Sequence, residues 1–161
     1  MHHLDAAYNL ARWLTHNVHD AEDVVQESYL RAFRFFGGFR GGDSRAWLLT
    51  IVRNTAYTWL QRNRSREFAA SLDEELQIAD EETPSPEAKL LSGAESEMVR
   101  QALEALPLQY REVMVLRELE ELSYKEISHI ADIPIGTVMS RLARARKRLQ
   151  QSLAQTLGKE V

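Results

Sequence analysis

A chain of 161 residues with 44% apolar and 27% charged side chains has material for one soluble domain or two small ones. It has no cysteine, which excludes disulfides and thiolate metal sites and fits a reducing cytoplasm. The net charge of −4 hides a division: residues 1–66 set nine arginines against six carboxylates, residues 67–97 one lysine against ten, and residues 98–161 ten basic groups against eight. Two mildly basic ends therefore flank an acidic middle, and salt screening within about 8–10 Å leaves each surface to its own local field. No apolar run reaches the length of a membrane span, so no membrane insertion is expected. The opening MHHLDAAYNLARW lacks the basic region and apolar core of a signal peptide.

The first predicted helix covers about Leu4 to His16, with Leu4, Ala7, Tyr8, Ala11 and Leu14 as its inner stripe. A second starts near Asp20, an N-cap residue followed by Glu22 and Asp23, which suit the positive end of a helix dipole. Its apolar positions Val25, Tyr29, Ala32, Phe33 and Phe36 are expected inward. Asp23, Gln26, Glu27 and Arg31 fall on the other side, where they read as an ordinary wet face or as a contact surface.

Gly37 to Asp43 is a loop with four glycines. Phe39 within it either tucks into the core or is displayed for stacking; periodicity does not choose between the two. Asp43 or Ser44 can cap the next helix, RAWLLTIVRNTAYTWLQRNRSR. Its Arg45, Arg53, Asn54, Arg62, Arg64 and Arg66 supply donors, and beside an aromatic-bearing loop they make a plausible nucleic-acid surface. Trp47 and Trp59 are expected in the core.

From Glu67 to about Ser92 the chain turns acidic, and Pro84 and Pro86 discourage a continuous helix. This stretch reads as a flexible linker. Two further helices are expected after Gly93. One carries Met98, Ala102, Leu103 and Leu106 inward; the other starts at Pro107 and buries Tyr110, Val113, Met114 and Leu116.

The most informative stretch is Ser123 to Leu149, SYKEISHIADIPIGTVMSRLARARKRL. Ser123 and Glu126 stand at capping-box spacing. Ile127, Ile130 and Ala131 form one apolar face, and Asp132 to Gly136 breaks the pattern. A second helix from about Thr137 repeats Val138, Leu142, Ala145 and Leu149, with Arg141, Arg144 and Arg148 on another side, joined by Arg146 and Lys147. This is the layout of a helix-turn-helix, whose second helix enters the major groove. The fold class expected is all-α: two small helical domains joined by an acidic linker, at residues 1–66, 67–92 and 93–161.

No enzyme is expected, since the chain has neither a phosphate-binding glycine loop nor a nucleophile elbow. His16 and His19 form H-x-x-H, and His2, His3 and His129 complete the histidines. None stands at convincing ligand spacing, so no metal or other cofactor is expected.

Three segments carry a resemblance to the extracytoplasmic-function class of bacterial sigma factors in the sigma-70 family. DAEDVVQESYLRAF resembles the helix that binds core RNA polymerase. FRGGDSRAWLLTIVRNTAYTWL resembles the promoter-melting, minus-10-reading segment. ALPLQYREVMVLRELEELSYKEISHIADIPIGTVMSRLARARKRL resembles the minus-35-reading domain. The resemblance covers nearly the whole chain, with these three segments in order around the acidic linker.

The resemblance implies roles for single residues. Asp23, Gln26 and Glu27, with Arg31 beside them, match the polymerase-docking face. Phe39 matches the loop residue near a flipped minus-10 base and Asn54 a reader of the non-template strand, with Arg40, Arg53 and Arg62 as neighbouring candidates. Thr137, Ser140, Arg141 and Arg144 match the groove-facing part of the minus-35 helix, and Arg148 extends it. The implied partners are core polymerase, promoter DNA and an anti-sigma factor. Two features depart from the family pattern. Met139 stands where a basic side chain is frequent, which puts the minus-35 preference in question, and the late start leads us to expect a truncated first helix. The competing reading is a helix-turn-helix regulator that works without polymerase.

Overall fold

Helical periodicity dominates the computed structural model, which describes residues 2–38, 42–73 and 94–159; seven α-helices and no strand occur among the described residues. The chain divides into two units, Met1–Thr83 and Pro84–Val161.

The first unit packs three helices pairwise: α1 (His2–Thr15), α2 (Val18–Arg34) and α3 (Ser44–Asp73). Its core is built largely from small side chains. Ala7, Leu10, Ala11 and Leu14 of α1 meet Ala21, Val24, Val25 and Ala32 of α2 and Leu49, Val52 and Ala56 of α3. Alanines at the contacts let helix axes approach closely. Three hydroxyls are buried in this core, and each donates to the carbonyl four residues earlier: Thr15 to Ala11 at 2.8 Å, Ser28 to Val24 at 2.6 Å and Thr55 to Ile51 at 2.7 Å. They are thereby satisfied without needing another helix.

The turn between α1 and α2 differs from the sequence expectation. Asn17, not Asp20, is the N-cap: its Oδ1 accepts from the backbone N–H of His19 at 2.8 Å and of Asp20 at 3.0 Å. Asparagine caps as well as aspartate. His16 takes the left-handed conformation, φ 62°, so the chain turns within two residues. After α2 a 3₁₀ turn spans Phe36–Gly38. Asp43 then caps α3 through bonds from Arg45 N at 3.0 Å and Ala46 N at 3.3 Å. The backbone of α3 continues to Asp73, past Glu67 where the linker was expected to begin. No glycine or proline interrupts the run before that point.

In the second unit α4 (Ala94–Glu104) is followed by α5 (Leu108–Met114), which passes into a π turn over Val115–Leu119. Arg111 is buried in the joint between α4 and α5, where its guanidinium donates to the carbonyls of Leu106 at 2.7 Å and Glu104 at 3.3 Å. It satisfies acceptors that the end of α4 would otherwise leave orphaned. Helices α6 (Tyr124–Ala131) and α7 (Ile135–Lys159) complete the unit, with α4, α5 and α6 all packed on α7. No described helix is long and apolar enough to cross a membrane.

Candidate functional site

The capped start of α6 forms as its sequence dictates. Glu126 N donates to Ser123 Oγ at 3.1 Å, and Ser123 N donates to Glu126 Oε1 at 2.9 Å, a complete capping box. Replacing Ser123 by alanine is expected to cost about 1 kcal/mol, lowering the melting temperature by about 4–8 °C for a domain of this size; thermal unfolding followed by circular dichroism measures it. Helix α6 ends at Asp132, left-handed at φ 55°. Ile133 N then donates to the Ser128 carbonyl at 3.1 Å, and the Ser128 hydroxyl returns a bond to the Ile133 carbonyl. The turn is thus pinned from both sides. Pro134 supplies the acceptor for the N–H of Thr137 at 3.0 Å and of Val138 at 3.1 Å, so α7 starts at Ile135, two residues before the expected Thr137.

Ile127, Ile130 and Ala131 of α6 and Val138, Leu142 and Ala145 of α7 are buried. That fixes which side of α7 faces out. Ser140 and Arg144 are exposed there, with Thr137 and Arg141 half-buried on the flank. Ser140 Oγ donates to the Thr137 carbonyl at 3.1 Å. Arg141, Arg144 and Lys147 have no ion pair or side-chain hydrogen bond among the described residues. Their neighbours differ. Arg146 reaches Glu118 of the π turn at 3.0 Å, and Arg148 stacks over the Tyr110 ring at 4.9 Å. The basic run is therefore two populations, one unengaged and one tied to α5 and its π turn.

In the first unit, Asp23 and Gln26 are exposed on α2, one helical turn apart. Glu27 and Arg31 join each other in an ion pair of 2.9 Å along the flank. The same outer face continues into Leu30 and into aromatic side chains expected inward. Phe33 is 87% exposed, Phe36 65% and Leu30 68%, and Tyr29 lies at the surface as well. The close alanine-lined packing of α2 accepts Val24, Val25 and Ala32 but has no space for a second, aromatic stripe. Burial of Tyr29 is only partial, yet it still raises the phenol's pKa.

On α3, the Arg53 guanidinium sits over the Tyr57 ring, 3.8 Å from its centre, and donates to Asn54 Oδ1 at 3.3 Å. Arg53, Asn54 and Tyr57 thus form one contact set, with Asn54 the most exposed of the three. The sequence expectation for this surface did not include Tyr57; its i, i+4 spacing from Arg53 is the signal that finds it. Arg62 is exposed two turns beyond Asn54, about 12 Å along the axis. Trp47 and Trp59 are half-buried rather than fully in the core, and Trp47 meets Phe36 edge-on at 6.3 Å. Phe39 and Arg40 lie outside the described residues. No group of three His, Asp or Glu side chains converges to hold a metal among the described residues.

Two chemical surfaces result: an acidic-to-apolar face on α2 with an arginine–amide–aromatic set on α3, and a capped helix-turn-helix whose second helix presents unengaged cations. Comparison with known proteins matches them to one class. Residues 1–66 match sigma-70 region 2, and residues 96–149 match sigma-70 region 4.

The ECF RNA polymerase sigma factor SigE of Mycolicibacterium smegmatis is 36% identical over 152 residues, covering 94% of this chain and 59% of that protein. The ECF RNA polymerase sigma-E factor of Haemophilus influenzae is 36% identical over 153 residues, 89% of this chain and 79% of the relative. Among solved structures, the sigma factor RpoE of Bartonella quintana, in complex with the anti-sigma factor NepR, superposes with a TM-score of 0.76 at 30% identity, covering 94% of this chain and 92% of that one. The chain belongs to the sigma-70 family, within its extracytoplasmic-function class of RNA polymerase sigma factors.

Proposed function

We propose that the chain is a promoter-specificity subunit of bacterial RNA polymerase, acting in the cytoplasm without catalytic activity of its own. Residues 1–66 bind core polymerase and melt and read the minus-10 element, residues 67–92 are the acidic linker, its first residues to Asp73 continuing α3, and residues 93–161 read minus-35. Docking runs through Asp23, Gln26 and Glu27, with Arg31 holding Glu27 in place and Leu30 and Phe33 extending the face. Asn54, oriented by Arg53, contacts the single-stranded minus-10 element together with Phe39, Arg40 and Arg62. Thr137, Ser140, Arg141 and Arg144 contact the minus-35 duplex, and Arg148 supports them from its place on Tyr110.

The observation that carries this reading is the unengaged Arg141–Arg144–Lys147 set on a helix-turn-helix, in one chain with the α2 face. Neither small domain needs high affinity alone, because tethering on polymerase raises each one's effective concentration at its own element. The Bartonella relative was solved with an anti-sigma factor, and on that likeness we assign this chain a partner of the same kind.

The test is transcription in vitro with core polymerase on a genomic library, mapping start sites. Expected are starts that depend on the chain and share spaced minus-35 and minus-10 elements. Binding to single operators with no effect on polymerase would instead establish a polymerase-independent regulator.

A further inference from the structure

The outward side of α7 is chemically two-edged. One edge carries Thr137, Arg141 and Arg144. The other is apolar: Ile135 is 44% exposed and Met139 53%, and Ala143, the next residue in the same i, i+4 row, is exposed too. Between the edges, over the first turns of α7 and before Lys147, stand the small residues Gly136 and Ser140.

Gly136 among these is informative. Its backbone is not left-handed, and a Cβ there would meet nothing within 4 Å. Neither the conformation nor the packing of this unit calls for glycine, which is a poor residue inside a helix. With Ser140 it keeps the centre of the face low, and a low centre matters only to something that approaches from outside.

We infer that Met139, flanked by Ile135, is a specificity-determining residue that packs on the 5-methyl groups of thymines in the minus-35 duplex. The inference rests on the reading that α7 enters the major groove. The groove offers one apolar feature, the thymine methyl, and hydrogen-bonding edges elsewhere. Arg141 and Arg144 serve those edges and the phosphates. An unbranched thioether on the opposite edge has nothing to hydrogen-bond strongly and adapts its shape to a methyl. The low centre brings the backbone near enough for this short reach. The element recognised therefore carries thymine beside the base pairs that depend on Arg144.

The experiment uses holoenzyme assembled from core polymerase and the full chain. A duplex library randomised at minus-35 is selected, and each thymine in the recovered element is then replaced singly by deoxyuridine, which lacks only the methyl. At one or two adjacent positions the replacement is expected to weaken binding about fourfold, the value of one buried methyl-sized group. Met139→Ala should bind thymine and uracil duplexes equally at those positions. Met139→Arg, at an exposed site that does not disturb folding, should shift the selected base there from thymine to guanine.

A uracil penalty that persists unchanged in Met139→Ala overturns the assignment, as does a selected element without thymine next to the Arg144-dependent pairs. Arg144→Ala separates the two levels. If it weakens minus-35 binding while the uracil test fails, only the role of Met139 falls. If it too has no effect, the groove reading falls and takes the assignment with it.

Discussion

Changing Leu30 and Phe33 together to serine is expected to lower affinity for core RNA polymerase by at least about 100-fold, while the chain stays folded. The reason is where these side chains stand. Phe33 is 87% exposed and Leu30 68% exposed, on the face of α2 that also carries Asp23 and Gln26. Burying a large apolar side chain contributes roughly 1.5–3 kcal/mol, and aromatic anchors at the centre of an interface can exceed that. Two such groups together therefore correspond to at least about two orders of magnitude in affinity. Folding loses nothing comparable, because the native domain leaves both in water. Titration of labelled protein with core polymerase gives the affinity, and a melting curve provides the control. Unchanged affinity would remove α2's apolar end from the docking face and leave only its acidic end. The complementary Asp23→Arg, Glu27→Arg double variant tests that end in a pull-down, where loss of polymerase is expected.

The second large effect is on minus-35 recognition. Arg144→Ala is expected to weaken binding of the selected minus-35 duplex by about 10- to 100-fold, since a well-made arginine–base contact contributes about 1–3 kcal/mol of discrimination. Preference should relax at one base pair rather than across the element. If Arg144 instead contacts phosphate, the loss is uniform over sequences and the slope of log affinity against log salt falls by about one. Arg146→Ala is the internal control. Its guanidinium is engaged by Glu118 at 3.0 Å, so its removal is expected to change affinity by less than about threefold. Exposed ion pairs of that sort contribute about 0–1 kcal/mol to stability, so neither variant should unfold the domain. Competition binding with holoenzyme at several salt concentrations distinguishes all of these outcomes.

The contrast between Arg144 and Arg146 shows where sequence reading stops. Both sit in one run, RLARARKRL, and local rules treat them alike. Which one is free depends on Glu118, 28 residues away in the chain, in the π turn that continues α5, and α5 packs on α7. Arg148 is settled in the same way, by Tyr110. In α2 the difficulty was of another kind. The helix has apolar residues on two sides, and periodicity alone groups Tyr29, Phe33 and Phe36 with Val25 and Ala32, of which only the last two are buried. Small residues on α1 and α3 close the gap so far that Val24, Val25 and Ala32 fit and Phe33 does not.

The helix-turn-helix framework within Ser123–Leu149 needed none of this. A capping box, a proline–glycine turn and one repeated apolar row are all interactions within a few residues of each other, so their physics is written locally. Sequence by itself therefore determined that the chain is helical, that a helix-turn-helix stands near its end, and which family it resembles. Tertiary packing alone decided which arginines remain unengaged and which aromatics face water, because those outcomes depend on distances between segments that no local pattern records.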